Sequence, residues 1–187
     1  MKPLLLVKHS LPEIVEGMPA REWVLSEEGR ERARKLVALL LPYQTEMILS
    51  SVEPKAWETA SILAEVLGLT VQAVNGLQEH DRSTSPYYAK SEFEKLVQEY
   101  FEKPDLLVFG KETARQSLAR FRETVETAVE AHRDKIMMIV SHGTVISLFV
   151  AWLTGCDGLA LWQSLGLPSF VVLDMHSRKL LRTENLP

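Results

Sequence analysis

Two apolar runs in this sequence each end abruptly at a histidine. The first run is Leu4–Val7, followed by Lys8 and His9, and the second is Ile136–Val140, followed two residues later by His142. Short uninterrupted apolar runs are typical of strands that are buried in a parallel sheet. Ligands of open parallel sheets bind just outside the carboxyl ends of the strands. The two runs therefore predict a site at one sheet edge to which two imidazoles contribute.

The length and composition limit the classes of protein to which the chain can belong. A length of 187 residues predicts one domain spanning residues 1–187, with or without an insertion. Hydrophobic residues make up 46% and charged residues 25%, as in ordinary globular proteins. The net charge of −4 argues against a nucleic-acid partner, which calls for a basic face. It allows a small anionic substrate, because a few local cations can dominate the field of a pocket.

The cellular setting is predicted from three features. No apolar run reaches the length that spans a bilayer, so we expect no membrane partner. The chain passes from Met1 almost directly into a strand, without the pattern of a secretory signal. Its one cysteine, Cys156, excludes an internal disulfide framework and a cysteine-rich zinc site. We therefore expect a cytoplasmic protein, and the sequence leaves its oligomeric state open, a homodimer included.

The first third of the chain alternates between strand and helix patterns. Ser26 can cap a helix whose apolar residues recur at helical spacing, and a strand follows at Met47–Leu49. A second helix is predicted over Glu53–Leu67, followed by a strand at Val71–Val74. This order predicts parallel strands joined by right-handed crossovers. We therefore expect an α/β fold, a three-layer α/β/α sandwich with a mainly parallel central sheet.

The remainder of the chain interrupts and then completes this pattern. Residues 77–132 contain a polar stretch and two amphipathic helices, which we interpret as a helical insertion capping one side of the crevice. After the strand that precedes His142, a helix over Val145–Leu153 is apolar nearly all round and therefore predicted to be buried. Phe170–Leu173 and Lys179–Leu181 are interpreted as a closing hairpin or sheet edge.

The side chains at the predicted sheet edge suit phosphoryl transfer. Neutral imidazole accepts a phosphoryl group without prior deprotonation, which makes His9 a candidate nucleophile. Phosphoryl transfer depends on placed cations and donors, which Lys8, Lys55 and His142 can supply. Departure of an alcohol needs a proton, and Glu79 follows the third strand on the same edge. A carboxyl held near anions is expected to have a raised pKa, so Glu79 is a candidate general acid.

Five short segments, taken in chain order, match the motif pattern of a known family. They are Lys8-His9-Ser10, where the family has Arg-His-Gly; Leu25, Ser26, Gly29 and Ala33; Ser50, Ser51, Lys55, Ala56, Thr59 and Ala60; Leu77 and Glu79; and Ser141-His142-Gly143. With these segments, from residue 4 to about 150, the chain resembles the histidine phosphatase superfamily with its phosphoglycerate mutase-like fold.

The resemblance implies a role for each matched residue. His9 is expected to be the phosphorylated nucleophile and Glu79 the proton donor. Lys8, Lys55 and His142 are expected to bind the phosphoryl group together with Ser10, the residue after the nucleophile. Neither a metal ion nor another cofactor is expected, because the family needs none.

The chain departs from the family at the phosphate pocket. Lysines stand at both arginine positions, and lysine keeps the charge but lacks the planar fork that grips two oxygens. A weaker or differently shaped phosphate site is therefore expected. Arg21, His80 and Arg82 are candidates for substrate binding that compensate in part.

We interpret the chain as a phosphatase that acts on a small phosphorylated metabolite. Two alternatives stay open. The first is phosphoryl transfer of the phosphoglycerate mutase type, disfavoured by the short chain and by the stretch after Glu79. The second is a non-catalytic protein that binds a phosphorylated ligand, suggested by Lys8 and Lys55 in place of arginines.

Overall fold

A computed structural model describes residues 2–186 of the chain. Its central sheet consists of β1 (Leu4–Lys8), β2 (Met47–Ser50), β3 (Val71–Ala73), β4 (Met137–Ser141), β5 (Ser169–Asp174) and β6 (Lys179–Asn185). Their order across the sheet is β3-β2-β4-β1-β5-β6. The first four strands in this order are parallel, whereas β5 runs antiparallel to both β1 and β6. The prediction of a mainly parallel sheet with a closing hairpin is confirmed.

The helices of the described region begin and end close to the sequence signals for them. They are α1 (Glu27–Leu40), α2 (Pro54–Leu67), α3 (Lys90–Glu102), α4 (Ala114–Ala131), α5 (Gly143–Thr154) and α6 (Gly158–Ser164). The Ser26 hydroxyl accepts a hydrogen bond from the Gly29 amide at the start of α1. Gly68 and Gly155 adopt the left-handed conformation that ends α2 and α5.

Alternate residues of β1 face two separate helical layers. Leu5 and Val7 pack in the cluster that α1 and α2 contribute to. Leu4 and Leu6 pack in the cluster that contains Phe121 of α4 together with residues of α5. Since successive side chains of a strand point to opposite faces, helices cover both faces of the sheet. The predicted three-layer α/β/α sandwich is confirmed.

The helical insertion differs in part from the expectation. Phe121 and Val125 of α4 are fully buried in the main core, so α4 belongs to a layer of the sandwich. A separate small cluster joins Val97 and Tyr100 of α3 to Phe109. Of the two predicted helices, only α3 packs in a cluster separate from the main core, and its capping of the crevice stays a prediction.

Two element boundaries position the site. The helix predicted from Val145 begins at Gly143, because His142 is its N-cap residue. The segment between β1 and α1 contains a short 3-10 helix, Ala20–Glu22, close to the start of α2.

Within residues 2–186, no helix combines the length and the apolar character needed to cross a membrane.

Candidate active site

The two histidines that end the apolar runs lie side by side. β1 and β4 are neighbouring parallel strands, with Lys8 paired with Ser141 at their carboxyl ends. The His9 amide donates a hydrogen bond of 2.9 Å to the Ser141 carbonyl oxygen. The ring centroids of His9 and His142 are 5.1 Å apart, with the rings inclined at 62°. The structure thus brings together the two imidazoles as the sequence predicts.

The hydrogen bond of His9 fixes which ring nitrogen is free. Its Nδ1 lies 2.7 Å from the carbonyl oxygen of Ser10, which can only accept, so Nδ1 carries the proton. The lone pair of Nε2 is therefore unprotonated. Burial, followed by the electrostatic influence of the neighbouring His142 and Lys55, holds the pKa of His9 well below its usual value. The imidazole is neutral near pH 7 and has a nucleophilic nitrogen.

His142 is a buried ring with one nitrogen bound to Ser51. Its Nε2 lies 2.8 Å from the Ser51 hydroxyl, which also accepts from the Glu53 amide. Either the ring nitrogen or the hydroxyl can donate in this hydrogen bond. The other nitrogen, Nδ1, is buried and has no hydrogen-bond partner among residues 2–186. Burial, and after it the charge of Lys55, lowers the pKa of His142 well below its usual value.

Lys55 lies in the site with an unpredicted partner, Glu53. The Lys55 ammonium donates to the Ala20 carbonyl oxygen at 2.8 Å and forms an ion pair with the Glu53 carboxylate. Both side chains are nearly inaccessible, with 5% and 8% exposed. Burial lowers the pKa of Lys55, and the Glu53 charge opposes this shift. An acidic residue between Ser51 and Lys55 was the available sequence signal, but its position suggested only a helix start.

The Lys8 side chain, from the end of β1, lies beside the first residue of α5. Its ammonium donates to the carbonyl oxygen of Leu165 at 2.8 Å. A Cβ atom on Gly143 would lie 3.0 Å from its Cε atom and 3.3 Å from its Nζ atom. Burial lowers the pKa of Lys8 to about 8, although the charge of Glu79 works in the opposite direction.

Glu79 is held by hydrogen-bond donors at the start of α5. Its carboxylate oxygens accept hydrogen bonds from the amides of His80, Thr144 and Val145, the last two at the positive end of α5. Burial favours the neutral carboxyl, but His142, Arg82 and His80 act in the opposite direction and lower the pKa of Glu79. The raised pKa expected from the sequence concerns a carboxyl beside a bound anion, so it stays a prediction for the complex with substrate.

A second residue that sequence reasoning missed, Arg120 of α4, holds the loop that carries Glu79. Its guanidinium donates to the carbonyl oxygens of Gly76, Gln78 and Glu79 at 2.9 to 3.1 Å. It also forms a two-pronged ion pair with Glu112 at 2.9 and 2.8 Å. No local sequence signal marks Arg120, because its partners in the loop are more than 40 residues away in the chain.

A cavity of about 620 Å³ opens beside Glu53 and Glu79. Arg21, His80 and Arg82 contribute to its lining, as do the 3-10 helix and the loop after β3. The Arg82 guanidinium lies 4.6 Å from the ring centroid of Phe93 and has no carboxylate within 4.0 Å in the described part of the chain. A cavity of this size accommodates a small organic leaving group.

Three of the predicted site residues have side chains that already contact other residues of the protein. The Ser10 hydroxyl donates to the Gly29 carbonyl oxygen at 2.7 Å. His80 is buried beside Tyr100, with its Nε2 donating to the Phe109 carbonyl oxygen at 3.1 Å. Arg21 is exposed and lies 3.6 Å from the Glu22 carboxylate. Over residues 2–186, no group of three or more His, Cys, Asp or Glu side chains could hold a metal ion.

Comparison with known proteins places this geometry in a family. A family model described as the histidine phosphatase superfamily (branch 1) matches residues 13–183. The matched region begins after Lys8-His9-Ser10, the segment in which the chain departs from Arg-His-Gly. No curated protein sequence matches the chain significantly.

Solved structures with the same fold span nearly the whole chain. A mycobacterial glucosyl-3-phosphoglycerate phosphatase is 23% identical, with a TM-score of 0.76 over 98% of this chain and 97% of its own. A phosphoserine phosphatase variant from Entamoeba histolytica, in complex with phosphoserine, is 17% identical with a TM-score of 0.79 over 98% and 96%. The alpha-ribazole phosphatase from Shigella flexneri is 19% identical with a TM-score of 0.72 over 97% and 95%.

Proposed function

Because the chain belongs to the histidine phosphatase superfamily, we propose that it is a phosphatase that hydrolyses a small phosphomonoester through a phosphohistidine on His9. One observation carries this proposal. The Ser10 carbonyl oxygen fixes the proton of His9 on Nδ1, so that a neutral ring has its Nε2 lone pair available. Lys55, Lys8 and His142, which can supply the cations and donors that phosphoryl transfer requires, lie near enough to the His9 ring to influence its pKa.

In the first step, His9 Nε2 attacks phosphorus while the bond from phosphorus to the ester oxygen breaks. The charge on the transferring oxygens is stabilised by Lys8 and Lys55. With its proton on Nδ1, as this mechanism requires, His142 donates a hydrogen bond to one of these oxygens, and the bound phosphoryl group thereby supplies the partner that Nδ1 lacks among residues 2–186. Positive charge comes from the lysines, so the reaction needs no metal ion and is expected to continue in the presence of a chelator.

Glu79 donates a proton to the departing oxygen. It is anionic in the empty site, so a proton must arrive with the substrate. Three cations, Lys8, Lys55 and Arg82, and two carboxylates, Glu53 and Glu79, influence one another there. A dianionic phosphoryl group reverses the sign of this local charge and raises the pKa of Glu79, as a nearby like charge does. In the second step the Glu79 carboxylate takes a proton from water, which attacks phospho-His9 and releases phosphate.

The leaving group of the substrate occupies the cavity of about 620 Å³. Arg82 is its candidate binding residue, because a guanidinium without a carboxylate partner suits an anionic or hydroxyl-rich group. Arg21, which is exposed, and His80, which is buried, also line this cavity. The similar structures are phosphatases for several different leaving groups, which supports the reaction class rather than one substrate.

A non-catalytic binding function is the second candidate. It is favoured by Lys8 and Lys55 at the two positions where the family has arginine, since an ammonium keeps the charge but lacks the planar fork that grips two oxygens of the transferring group. A protein of this kind binds a phosphorylated ligand without turnover.

The test is phosphate release from a panel of phosphomonoesters. Wild type is compared with His9→Ala and with His176→Ala, a surface histidine in the turn between β5 and β6. We expect release by wild type and His176→Ala and its loss in His9→Ala. Isomer formation from a phosphoglycerate without phosphate release would establish the mutase alternative. Ligand binding without release would establish the binding alternative.

A further inference from the structure

We propose that Glu53 is an internal anion of the phosphate pocket, which neutralises Lys55 and keeps the affinity for inorganic phosphate low so that the product leaves. The inference rests on the proposed function, because it assigns phosphate to the pocket that contains Lys55. It adds to that function a residue that tunes how long the product stays.

The position of Glu53 makes its carboxylate part of this pocket. One oxygen forms the ion pair with the Lys55 ammonium. The other accepts a hydrogen bond of 2.9 Å from the Glu79 amide and lies 3.7 Å from His142 Nε2. Glu53 thus contacts a phosphate-binding cation, the proton donor and the second histidine at once.

Because the Glu53 carboxylate is buried, its charge acts strongly on the Lys55 ammonium. Only 8% of the Glu53 side chain and 5% of the Lys55 side chain are exposed, so solvent screens the pair weakly. An ammonium has three hydrogen atoms to donate, and Lys55 uses donors on Glu53 and on the Ala20 carbonyl oxygen. A phosphate dianion that approaches Lys55 therefore meets a cation whose charge is already balanced.

The consequence concerns the last step of the cycle. A pocket that stabilises a phosphoryl group in the transition state also attracts the free product, and tight product binding slows turnover. A carboxylate fixed beside Lys55 repels inorganic phosphate, which has no leaving group to hold it in the cavity. The ester has an additional binding interaction, because its leaving group occupies the cavity that Glu53 and Arg82 line.

The experiment compares phosphate affinity in wild type and Glu53→Gln. The amide is nearly isosteric and can still accept from the Glu79 amide, so the loop is retained while the charge is removed. We measure the dissociation constant of inorganic phosphate by calorimetry and its inhibition constant against a test ester. We expect both to fall about 10- to 100-fold, the worth of one charge-assisted contact. Glu65→Gln, an exposed change on the same helix, is expected to leave both unchanged.

A double-mutant cycle separates this role from a structural one. If Glu53 acts through Lys55, the Glu53→Gln change is expected to alter phosphate affinity far less in a Lys55→Met background. If Glu53→Gln does not fold, Glu53→Asp keeps the charge but retracts it by one methylene group, and we expect a smaller gain in the same direction.

Two results would overturn the inference. Unchanged or weaker phosphate binding in a folded Glu53 variant, alongside an active wild type, contradicts it while leaving the proposed function intact. A wild type that neither hydrolyses esters nor binds phosphate contradicts the proposed function, and the inference with it.

Discussion

The Nη2 atom of Arg120 donates a hydrogen bond of 3.1 Å to the backbone carbonyl oxygen of Glu79. The same guanidinium binds two further carbonyl oxygens of the loop and the Glu112 carboxylate. All of these contacts use the planar fork of arginine. The helix α4, which is part of the main sandwich, thereby holds Glu79, the proposed proton donor, in place.

The first prediction concerns this fork. Arg120→Lys keeps the positive charge beside Glu112 but cannot reach three carbonyl oxygens, so the fold is expected to be retained while Glu79 is displaced. Misplacement of a catalytic group by about 1 Å can lower rate about 100-fold. We therefore expect kcat to fall about 10- to 100-fold with a smaller change in KM.

The control for Arg120→Lys is Arg115→Lys, on an exposed part of the same helix, which is expected to keep wild-type kcat. Wild-type kcat in a folded Arg120→Lys protein would show that Glu79 does not depend on these contacts.

The second prediction concerns the space beside Lys8. In Gly143→Ala the new Cβ atom lies 3.0 Å from the Lys8 Cε atom, which forces the ammonium to move. Gly143 is the first residue of α5 and has no positive φ that would exclude alanine, so stability is expected to change little. We expect turnover to fall while the melting temperature does not. Full turnover in this variant would argue against Lys8 as a phosphate-binding residue.

The strand ends account for what the sequence reveals of the site. His9 and His142 each follow an uninterrupted apolar run, and parallel strands deliver their carboxyl ends to one edge. Lys55 and Glu79 were found because a helix start and a strand end lie at that same edge. Their identity and location needed only local patterns and the rule for parallel sheets.

The parts that could not be predicted depend on contacts between distant segments. Arg120 meets its loop across more than 40 residues, and its own helix gives no indication of them. Two hydrogen bonds that Glu79 accepts depend on α5 beginning at Gly143, which aims two amides at its carboxylate. The contact between Lys8 and Leu165 arises from the packing of the segment after α6.

The third prediction concerns pH. The pKa of Lys8 is lowered to about 8, so its ammonium loses the proton as pH rises through this value. If the charged form of Lys8 binds the phosphoryl group as proposed, kcat/KM is expected to fall above about pH 8. Lys8→Arg keeps its charge over this range and is expected to shift the decline to higher pH.

Stability is expected to change in the opposite direction. An unfolded lysine has a pKa of about 10.4, so between pH 8 and this value the unfolded chain binds the proton more tightly. The contribution of Lys8 to the free energy of unfolding therefore rises over this window, and Lys8→Met removes that rise.

An alkaline decline in kcat/KM that is identical in wild type and Lys8→Arg would assign the titration to another group.

The fourth prediction concerns proton donation by Glu79. Glu79→Gln is expected to slow hydrolysis of alkyl phosphates by about 10²–10⁴-fold, the usual contribution of general acid catalysis. Aryl phosphates with acidic leaving groups need little protonation, so their first step is expected to slow less. Single-turnover rates for both ester types measure this difference. An equal loss for both would assign Glu79 a different role.

The central claim is that His9 Nε2 becomes phosphorylated, and rapid quenching with labelled ester tests it most directly. We predict a label on wild-type protein that is stable to alkali, labile to acid and located on His9. The same label is expected in His176→Ala and absent from His9→Ala. A label that is stable to acid, lies on a serine or persists in His9→Ala would contradict the account.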